Sequence, residues 1–371
     1  MSEYQCYEFV ALDRPLTSKQ MAELRAISTR AEITPTRFWN EYQWGDLKAD
    51  PEKLVERYFD AHVYFANWGT HRLLLRVPVA RVDVKRLEAY FVSQVAVARK
   101  AGDHLILELQ SDDEDPDYYE ESQGSLAALA PLRTELMRGD LRVAYLAWLL
   151  AVDAGDVDDA ETEPPVPPGL SELTAAQAAM VEFLRVDEDL VAAAAAASEE
   201  PDDERPALRK WVNALPLKAK DEWLRRAVDD PDLALGGELL RAFRAAERPV
   251  RAAKQRTVAE LRAIAKERRH ERERAESARA AKAKKAADAA RNRHLDALGK
   301  RVEAAWTELE TLVEKSAYDE ALKLAIDLRD LAKRDGASPA FSASFEAMRK
   351  RRARRRGFFD RWKRENEPKR W

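Results

Sequence analysis

The stretch from residue 250 to residue 314 constrains the fold most, because Gly299 is the only helix breaker in it. Large apolar side chains stop at Ile264 and resume at Leu295, and between them alanine is the only apolar residue. A helix without an apolar stripe has no face to bury, and no heptad seam can form. The sequence therefore predicts a long basic helix with a solvated middle and packed ends.

Charge is distributed in alternating blocks, although the net charge of the whole chain is only −4. Residues 1–247 contain 28 basic and 47 acidic side chains, whereas residues 248–301 contain 18 and 7. Residues 302–348 are acidic again, and residues 349–371 contain 12 basic and 3 acidic side chains. Blocks of this size indicate either an anionic partner for the basic rear or contact between the rear and the acidic front.

Strand and helix patterns interleave over residues 1–111. One strand is predicted at residues 36–44, where alternation separates Trp39 from Phe38 and Trp44. Two more strands, residues 62–66 and 71–77, flank an Asn-Trp-Gly-Thr turn, which predicts a hairpin because Asn and Gly tolerate positive φ. These patterns predict a compact α+β domain.

The predicted fold class is an α+β N-terminal domain followed by an all-α region with a long basic helix and a C-terminal helical hairpin. Apolar spacing, proline positions and charge predict six segments. They are the α+β domain (1–111), an acidic loop and helical pair (112–152), a proline-rich acidic linker (153–169), a helical bundle (170–249), the long basic helix (250–305) and a hairpin with an arginine-rich tail (306–371).

Composition excludes several kinds of site. Cys6 is the one cysteine, so an internal disulfide and a cysteine-based zinc site are excluded. The sequence shows no signal peptide, which predicts a cytoplasmic location. The most apolar run, residues 141–152, includes Arg142 and is far shorter than the roughly 20 residues of a membrane helix. No membrane association, metal or cofactor is therefore expected.

His62, His71 and Asp60 are the candidates for catalysis. The two histidines lie on adjacent strands of the predicted hairpin, and imidazole with carboxylate can perform acid-base chemistry. However, HExxH, HxH, a nucleophile elbow and a glycine-rich phosphate loop are all absent from the sequence. We favour a structural role for these residues and keep a hydrolase-like enzyme as the alternative.

Aromatic residues are frequent in the front domain, and most of them must lie in its core. Trp39 and Trp68 are the predicted exposed pair, because Trp39 lies among polar neighbours and Trp68 lies in a turn. An acidic domain repels phosphate, so these rings favour a protein partner over nucleic-acid bases.

Dense lysine and arginine in the rear favour sequence-independent, salt-dependent contact with nucleic-acid phosphates. In the tail, Phe358, Phe359 and Trp362 follow the arginines and could stack on bases. The alternative is a solvated helix stabilised by pairs such as Arg272 with Glu276. The candidate nucleic-acid-binding residues are Lys254, Arg262, Lys266, Arg269, Lys282, Lys285, Arg351, Arg352, Arg354, Arg355 and Arg356.

Several segments of the chain resemble known bacterial proteins. AWTELETLVEKSAYDEALKLAIDLRDLAKRDG and FSASFEAMRKRRARRRGFF are similar to the C-terminal helical segment of proteins that carry a SWIM-type zinc finger. An uncharacterised bacterial family related to them is resembled by SELTAAQAAMVEFLRVDEDLVAAAAAAS, YEFVALDRPLT and FDAHVYFANWGTHRLLLRVP. SWIM fingers need paired cysteines and a histidine, so no zinc ligand carries over to a chain with Cys6 alone. The resemblance implies a helicase-associated or nucleic-acid-associated role.

Together these observations predict a non-enzymatic adaptor or scaffold. Its front domain is expected to bind a protein partner, and its basic rear is expected to engage nucleic acid. The resemblance implies that the partner is a helicase-associated or SWIM-type protein. The alternatives are the hydrolase-like enzyme and a purely protein-binding scaffold. The patterns leave the oligomeric state open.

Overall fold

The computed structural model describes residues 3–112, 125–200, 204–229, 235–246 and 256–366. The chain divides into two compact units, the first ending at His270 and the second beginning at Glu271. The predicted fold class, an α+β N-terminal domain followed by a helical region, is confirmed. The finer division into six segments stays a prediction.

An antiparallel sheet of seven strands organises the first unit. Its spatial order is β2-β3-β1-β4-β5-β7-β6, and each neighbouring pair is antiparallel. The strands are β1 (Gln5–Val10), β2 (Glu32–Ile33), β3 (Arg37–Tyr42), β4 (Ala61–Ala66), β5 (Thr70–Pro78), β6 (Ala96–Ala101) and β7 (His104–Asp112).

Both faces of this sheet are buried, because apolar residues occupy successive positions in its central strands. In β5, Leu73 and Leu75 join one core cluster, whereas Leu74 joins the cluster on the other face. Two helices cover the Leu74 face, and they contribute Leu24 and Leu54 to it. These helices are α1 (Ser18–Ile27) and α2 (Pro51–Arg57).

The opposite face supports a layer of short helices built around one fully buried helix. Every residue of that helix from Val143 to Val152 is buried, which explains its continuous apolar composition. The short 3-10 turn Val79–Arg81 precedes this layer. The helices are α3 (Val84–Glu88), α4 (Ser125–Leu129), α5 (Pro131–Met137), α6 (Arg142–Asp153), α7 (Ala175–Phe183) and α8 (Glu188–Ala195).

Residues 153–169, predicted to be a linker, lie inside the first unit. Val157 and Glu163 are buried, and the hydroxyl of Tyr90 donates a hydrogen bond of 2.6 Å to the carbonyl of Pro165. The segment is thus packed against the helical layer and does not separate two compact units.

Three amphipathic helices complete the described part of the first unit before the long helix. Trp211 and Phe243 contact each other with ring centroids 5.9 Å apart. The middle helix leaves Leu217, Leu224 and Val228 largely exposed. These helices are α9 (Arg205–Ala214), α10 (Leu217–Asp229) and α11 (Leu235–Ala246).

The predicted long helix is present as α12 (Val258–Gly299), and the boundary between the two units falls within it. It is 42 residues long, or about 63 Å at 1.5 Å per residue. Its first turns bury Val258 and Leu261 in the first unit, and its last turns bury Leu295 and Leu298 in the second.

Four further helices form the second unit around one apolar cluster. Ala305, Leu309 and Val313 recur every four residues, so they form a single buried stripe. Leu328 and Phe345 from the following helices pack into the same cluster. These helices are α13 (Val302–Glu314), α14 (Tyr318–Arg334), α15 (Ser338–Arg351) and α16 (Arg356–Asn366).

Candidate functional site

A buried ion pair holds the start of the long helix in the first unit. The guanidinium of Arg256 donates two hydrogen bonds to the Glu163 carboxylate, at 2.8 and 2.7 Å. The hydroxyl of Tyr145 donates to the same carboxylate. The hydrogen bonds to Glu163 raise the pKa of Arg256, and burial together with the Glu163 charge raises the pKa of Tyr145. This end of the helix is therefore fixed by a satisfied polar cluster.

Two of the predicted nucleic-acid-binding arginines are neutralised by acidic residues of the first unit. Arg262 pairs with Asp159 at 2.5 Å and also donates to the carbonyl of Val152. Arg269 pairs with Asp187 and with Asp189. These contacts fasten the first turns of α12 and offset the two charges locally, while the Arg269 side chain stays 48% exposed. Phosphate contact by these two arginines stays a prediction.

The middle of α12 is different, because every residue from 266 to 290 is exposed. Within it, residues 277–287 contain no acidic residue and consist of four cations, six alanines and one serine. We name this stretch the acid-free segment. Its cations are Arg279, Lys282, Lys284 and Lys285.

Within the described residues, none of the four cations of the acid-free segment forms an ion pair. Arg279, Lys282 and Lys285 follow at intervals of three residues and lie on one side of the helix. They span about 9 Å along the axis at 1.5 Å per residue. Lys284 points away from Lys282, so positive charge surrounds the helix. Such a surface can neutralise several phosphates without reading a sequence.

Lys266, another predicted nucleic-acid-binding residue, lies at the start of the exposed stretch and forms no ion pair among the described residues. The next turns contain acidic residues that compensate the arginines, as where Arg272 approaches Glu276 at 3.8 Å. Lys254 lies outside the described residues. Arg268, Arg274 and Arg293 are also without an ion pair in the described part of the chain, but each has an acidic residue within three positions in the sequence. The acid-free segment is therefore the part of α12 with the densest net positive charge.

The arginine-rich tail is partly neutralised by α13. Arg351 pairs with Glu310, and Arg352 pairs with Glu310 at 3.4 Å and with Glu314 at 2.9 Å. Arg355 donates to the hydroxyl of Ser316 at 3.2 Å. In the described part of the chain, Arg354 and Arg356 are without an ion pair. The tail therefore offers fewer free cations than its sequence indicates.

The aromatic residues of the tail are built into the core of the second unit. Phe358 is completely buried, and the Trp362 ring lies 4.6 Å from the ring of Phe345. Phe359 and Trp362 are only partly exposed against the same cluster. Of the three rings, Phe358 is thus committed to the core, whereas base stacking by Phe359 and Trp362 stays a prediction.

His62 and His71 do not form a common site. His62 is completely buried, its ring stacks 3.9 Å from the Phe9 ring, and its Nδ1 lies 2.9 Å from the carbonyl of Glu8. Burial lowers the pKa of His62 to about 3, so this imidazole is neutral. His71 lies on the other sheet face, with its ring edge-on to Phe183 at 5.2 Å.

Asp60 belongs to a structural ion cluster. Its carboxylate accepts hydrogen bonds from the backbone amides of Leu12 and Asp13, at 2.7 and 2.9 Å, and pairs with Arg76 at 2.7 Å. Arg133 lies 3.8 Å away and pairs with Asp13. Burial alone would raise the pKa of Asp60, but these donors outweigh it and lower the pKa. No potential metal site of three or more His, Cys, Asp or Glu residues occurs among the described residues.

The predicted exposed tryptophans differ from each other. Trp68 is 44% exposed in the β4–β5 turn, as predicted. Trp39 is only partly exposed, because its indole packs against the core, and the Arg37 guanidinium lies 5.8 Å above the ring. The predicted pair is therefore reduced to Trp68.

Trp44 is the residue that the sequence reasoning missed. The alternation predicts a strand that extends to residue 44, but β3 ends at Tyr42, and Trp44 is 71% exposed in the following turn. Gly45 has φ +85° there. The Trp-Gly-Asp sequence at 44–46 was the available signal, since a glycine with positive φ ends a strand.

Comparison with protein-family models, with curated proteins and with solved structures gives no match to this chain. None of the helices in the described ranges combines the length and the hydropathy that crossing a bilayer requires. The argument about function therefore depends on the acid-free segment of α12 and the exposed tryptophans of the sheet.

Proposed function

We propose that this protein is a non-enzymatic adaptor. It binds nucleic acid through the acid-free segment of α12 and a protein partner through its N-terminal domain. One observation supports the nucleic-acid half above all others. Four cations in eleven consecutive helical residues are exposed, have no acidic residue among them and form no ion pair within the described chain.

The chemistry of this segment favours phosphate contact over base recognition. It contains no aromatic ring to stack on a base and no Asn or Gln to read a base edge. Its six alanines keep the helix surface narrow, so a phosphate backbone can approach the lysines closely. Binding is therefore expected to be independent of sequence and strongly dependent on salt.

Two other observations are consistent with this proposal. The hydrolase alternative loses its geometric basis, since His62 and His71 lie on different sheet faces and Asp60 is bound in an ion cluster. The resemblance of the C-terminal segment to SWIM-type proteins implies a nucleic-acid-associated role. A cytoplasmic location is part of the same proposal.

The test is a fluorescence anisotropy titration of the full-length protein with a labelled DNA duplex at several salt concentrations. The triple variant K282Q/K284Q/K285Q keeps good helix-forming residues but removes three charges. We expect the log-log dependence of the binding constant on salt to become shallower by about 3, because each phosphate contact contributes about 0.9.

Two matched controls separate position from net charge. K282R/K284R/K285R keeps the charge at the segment and is expected to bind like the wild type. K48Q/K85Q/K100Q removes the same charge from exposed lysines of the first unit and is expected to leave the salt dependence unchanged. Equal loss of binding in both glutamine variants would contradict a site on α12.

A protein-binding scaffold is the second candidate, and the pairing of Arg262 and Arg269 with acidic residues favours it. These contacts show that α12 cations accept carboxylates as partners. Two results together would establish this function instead. One protein would be recovered from cells after nuclease treatment, and its recovery would depend on Lys282, Lys284 and Lys285. The titration would show no binding to the duplex.

A further inference from the structure

Two tight turns bring Trp44 and Trp68 to the same end of the sheet. The side-chain amide of Gln5, at the start of β1, donates a hydrogen bond of 2.6 Å to the carbonyl of Gly45 in one turn. Its neighbour Tyr4 donates its backbone amide to the Asn67 side chain in the other turn, at 2.9 Å. The turns thus flank the first residues of β1.

The strands that lead into these turns lie on either side of β1. Gln5 is paired with Tyr42 in β3 and with Ala66 in β4. Since neighbouring strands are about 4.8 Å apart, β3 and β4 are about 10 Å apart at this end of the sheet. Trp44 lies two residues after Tyr42, and Trp68 lies two residues after Ala66. Both indoles therefore lie at the same end of the domain.

Exposure of these two rings distinguishes them from the other tryptophans. Of the eight tryptophans among the described residues, only Trp44 and Trp68 are exposed. An exposed tryptophan places a large apolar area in water, and tryptophan is among the residues enriched at the centres of protein interfaces. We name the surface formed by Trp44, Trp68 and the start of β1 the two-tryptophan end.

The charges at the two-tryptophan end are mainly negative. Glu41, Asp46 and Asp112 are exposed there. Their carboxylates are oriented by hydrogen bonds from the hydroxyls of Tyr4, Tyr7 and Thr70, respectively. Arg30 and Lys48 are the cations of the neighbouring loops.

One contact within the molecule shows which group an exposed indole accepts. The Arg30 guanidinium lies over the Trp44 ring, 5.5 Å from its centroid. Attraction between a cation and an aromatic face is strongest for tryptophan, and nearby carboxylates add to it. No cation is placed over the Trp68 ring within the described residues.

From this combination we infer that the two-tryptophan end binds a lysine- and arginine-containing segment of a partner protein. Cationic side chains stack on the indoles of Trp44 and Trp68, and the surrounding carboxylates attract the rest of the segment. The inference specifies the protein-binding half of the proposed function and uses no residue of α12. Its failure is therefore distinguishable from a failure of nucleic-acid binding.

The experiment uses the full-length protein and a labelled peptide of alternating arginine and serine, followed by anisotropy and by quenching of tryptophan fluorescence. We expect the wild type to bind this peptide and not to bind a peptide in which glutamine replaces arginine. W44A/W68A is expected to bind at least about ten-fold more weakly, since two cation–aromatic contacts are lost. W44F/W68F is expected to fall between them.

W223A is the matched control, because Trp223 also contacts an arginine, Arg226 at 4.5 Å, but lies in α10. It is expected to bind the peptide normally, and W44A/W68A is expected to bind DNA normally. Equal binding of the arginine and glutamine peptides would overturn the inference, as would unchanged arginine-peptide affinity in W44A/W68A. Self-association that depends on both tryptophans would also overturn it, by identifying a second copy as the partner.

Discussion

His62 and His71 lie on adjacent strands, yet their side chains point to opposite faces of the sheet. The register pairs His62 with Leu74 and His71 with Phe65. Opposed residues share a face, and residues 62 and 65 are an odd number apart, so their faces differ. A hairpin therefore brings the backbones of two histidines together while a layer of backbone separates their imidazoles.

Replacement of His62 by phenylalanine should remove a pH dependence from the stability of the first unit. The Nε2 atom of His62 is buried and has no hydrogen-bond partner among the described residues, and burial lowers the pKa of His62 from 6.5 to about 3. Between these values the unfolded chain binds a proton that the folded chain does not, so wild-type stability rises with pH in this window. The free energy of unfolding of the variant minus that of the wild type should therefore be about 2 kcal/mol larger at pH 5 than at pH 8.

Urea unfolding of both proteins at pH 5 and pH 8 measures this effect, because contributions from all other groups cancel in the comparison. The same pH dependence in the variant and the wild type would show that His62 is not the neutral buried group described above.

Asp60→Asn should destabilise the first unit by about 3 kcal/mol at pH 7, since Arg76 and the buried Arg133 lose a carboxylate. The folded pKa of Asp60 is lowered, so its contribution is present above the unfolded pKa and is lost as pH falls through the folded pKa. The difference between variant and wild type should therefore shrink below about pH 4. Denaturant titrations across this range provide the measurement.

Asp83→Asn is a suitable control for Asp60→Asn, because Asp83 caps the exposed start of α3 and asparagine is an equally good cap. Its effect should stay below about 1 kcal/mol. A comparable loss in both variants would mean that the ion cluster around Asp60 adds nothing beyond an ordinary cap.

The buried pair at the start of α12 should be coupled more strongly than the exposed pair one turn and a half later. A double-mutant cycle with E163Q and R256Q should give a coupling energy of about 2 kcal/mol or more, because Glu163 is only 3% exposed. The cycle with D159N and R262Q should give less than about 1 kcal/mol, since Asp159 is 62% exposed. Equal coupling energies in the two cycles would contradict the conclusion that the buried cluster fixes the start of α12.

In the Phe358→Ala variant the second unit should unfold at a lower temperature, and its free energy of unfolding should fall by about 3 to 5 kcal/mol, because the ring is completely buried. R354Q/R356Q should leave stability unchanged, since neither arginine forms an ion pair within the described residues. Thermal unfolding followed by circular dichroism distinguishes them. If Phe358→Ala weakened nucleic-acid binding without affecting stability, the ring would be a contact residue after all.

Much of the fold follows from local patterns in the sequence. The gap in large apolar residues between Ile264 and Leu295 predicts a solvated helix, and α12 has this form. The Asn-Trp-Gly-Thr turn predicts the β4–β5 hairpin and the exposure of Trp68, because positive φ at Gly69 is a local property. In these cases neighbouring residues alone decide the outcome.

The candidate site was predicted less completely, because pairing between distant residues decides which charges are free. Sequence density alone makes Arg262, Arg269 and Arg351 equivalent to Lys282 and Lys285. The fold brings the three arginines to acidic residues of other elements and leaves the two lysines without such partners in the described chain. A helical charge pattern cannot reveal this difference, because it contains no information about what lies opposite each side chain.

The sequence by itself determined the alternation of charge, the helical nature of the rear and the turns of the sheet, since these depend on residues close together in the chain. Only the tertiary structure decided that His62 and His71 are separated, that Phe358 is core, and that Trp44 and Trp68 share one end of the sheet. Strand register and long-range packing set these relationships, and both depend on residues many positions apart.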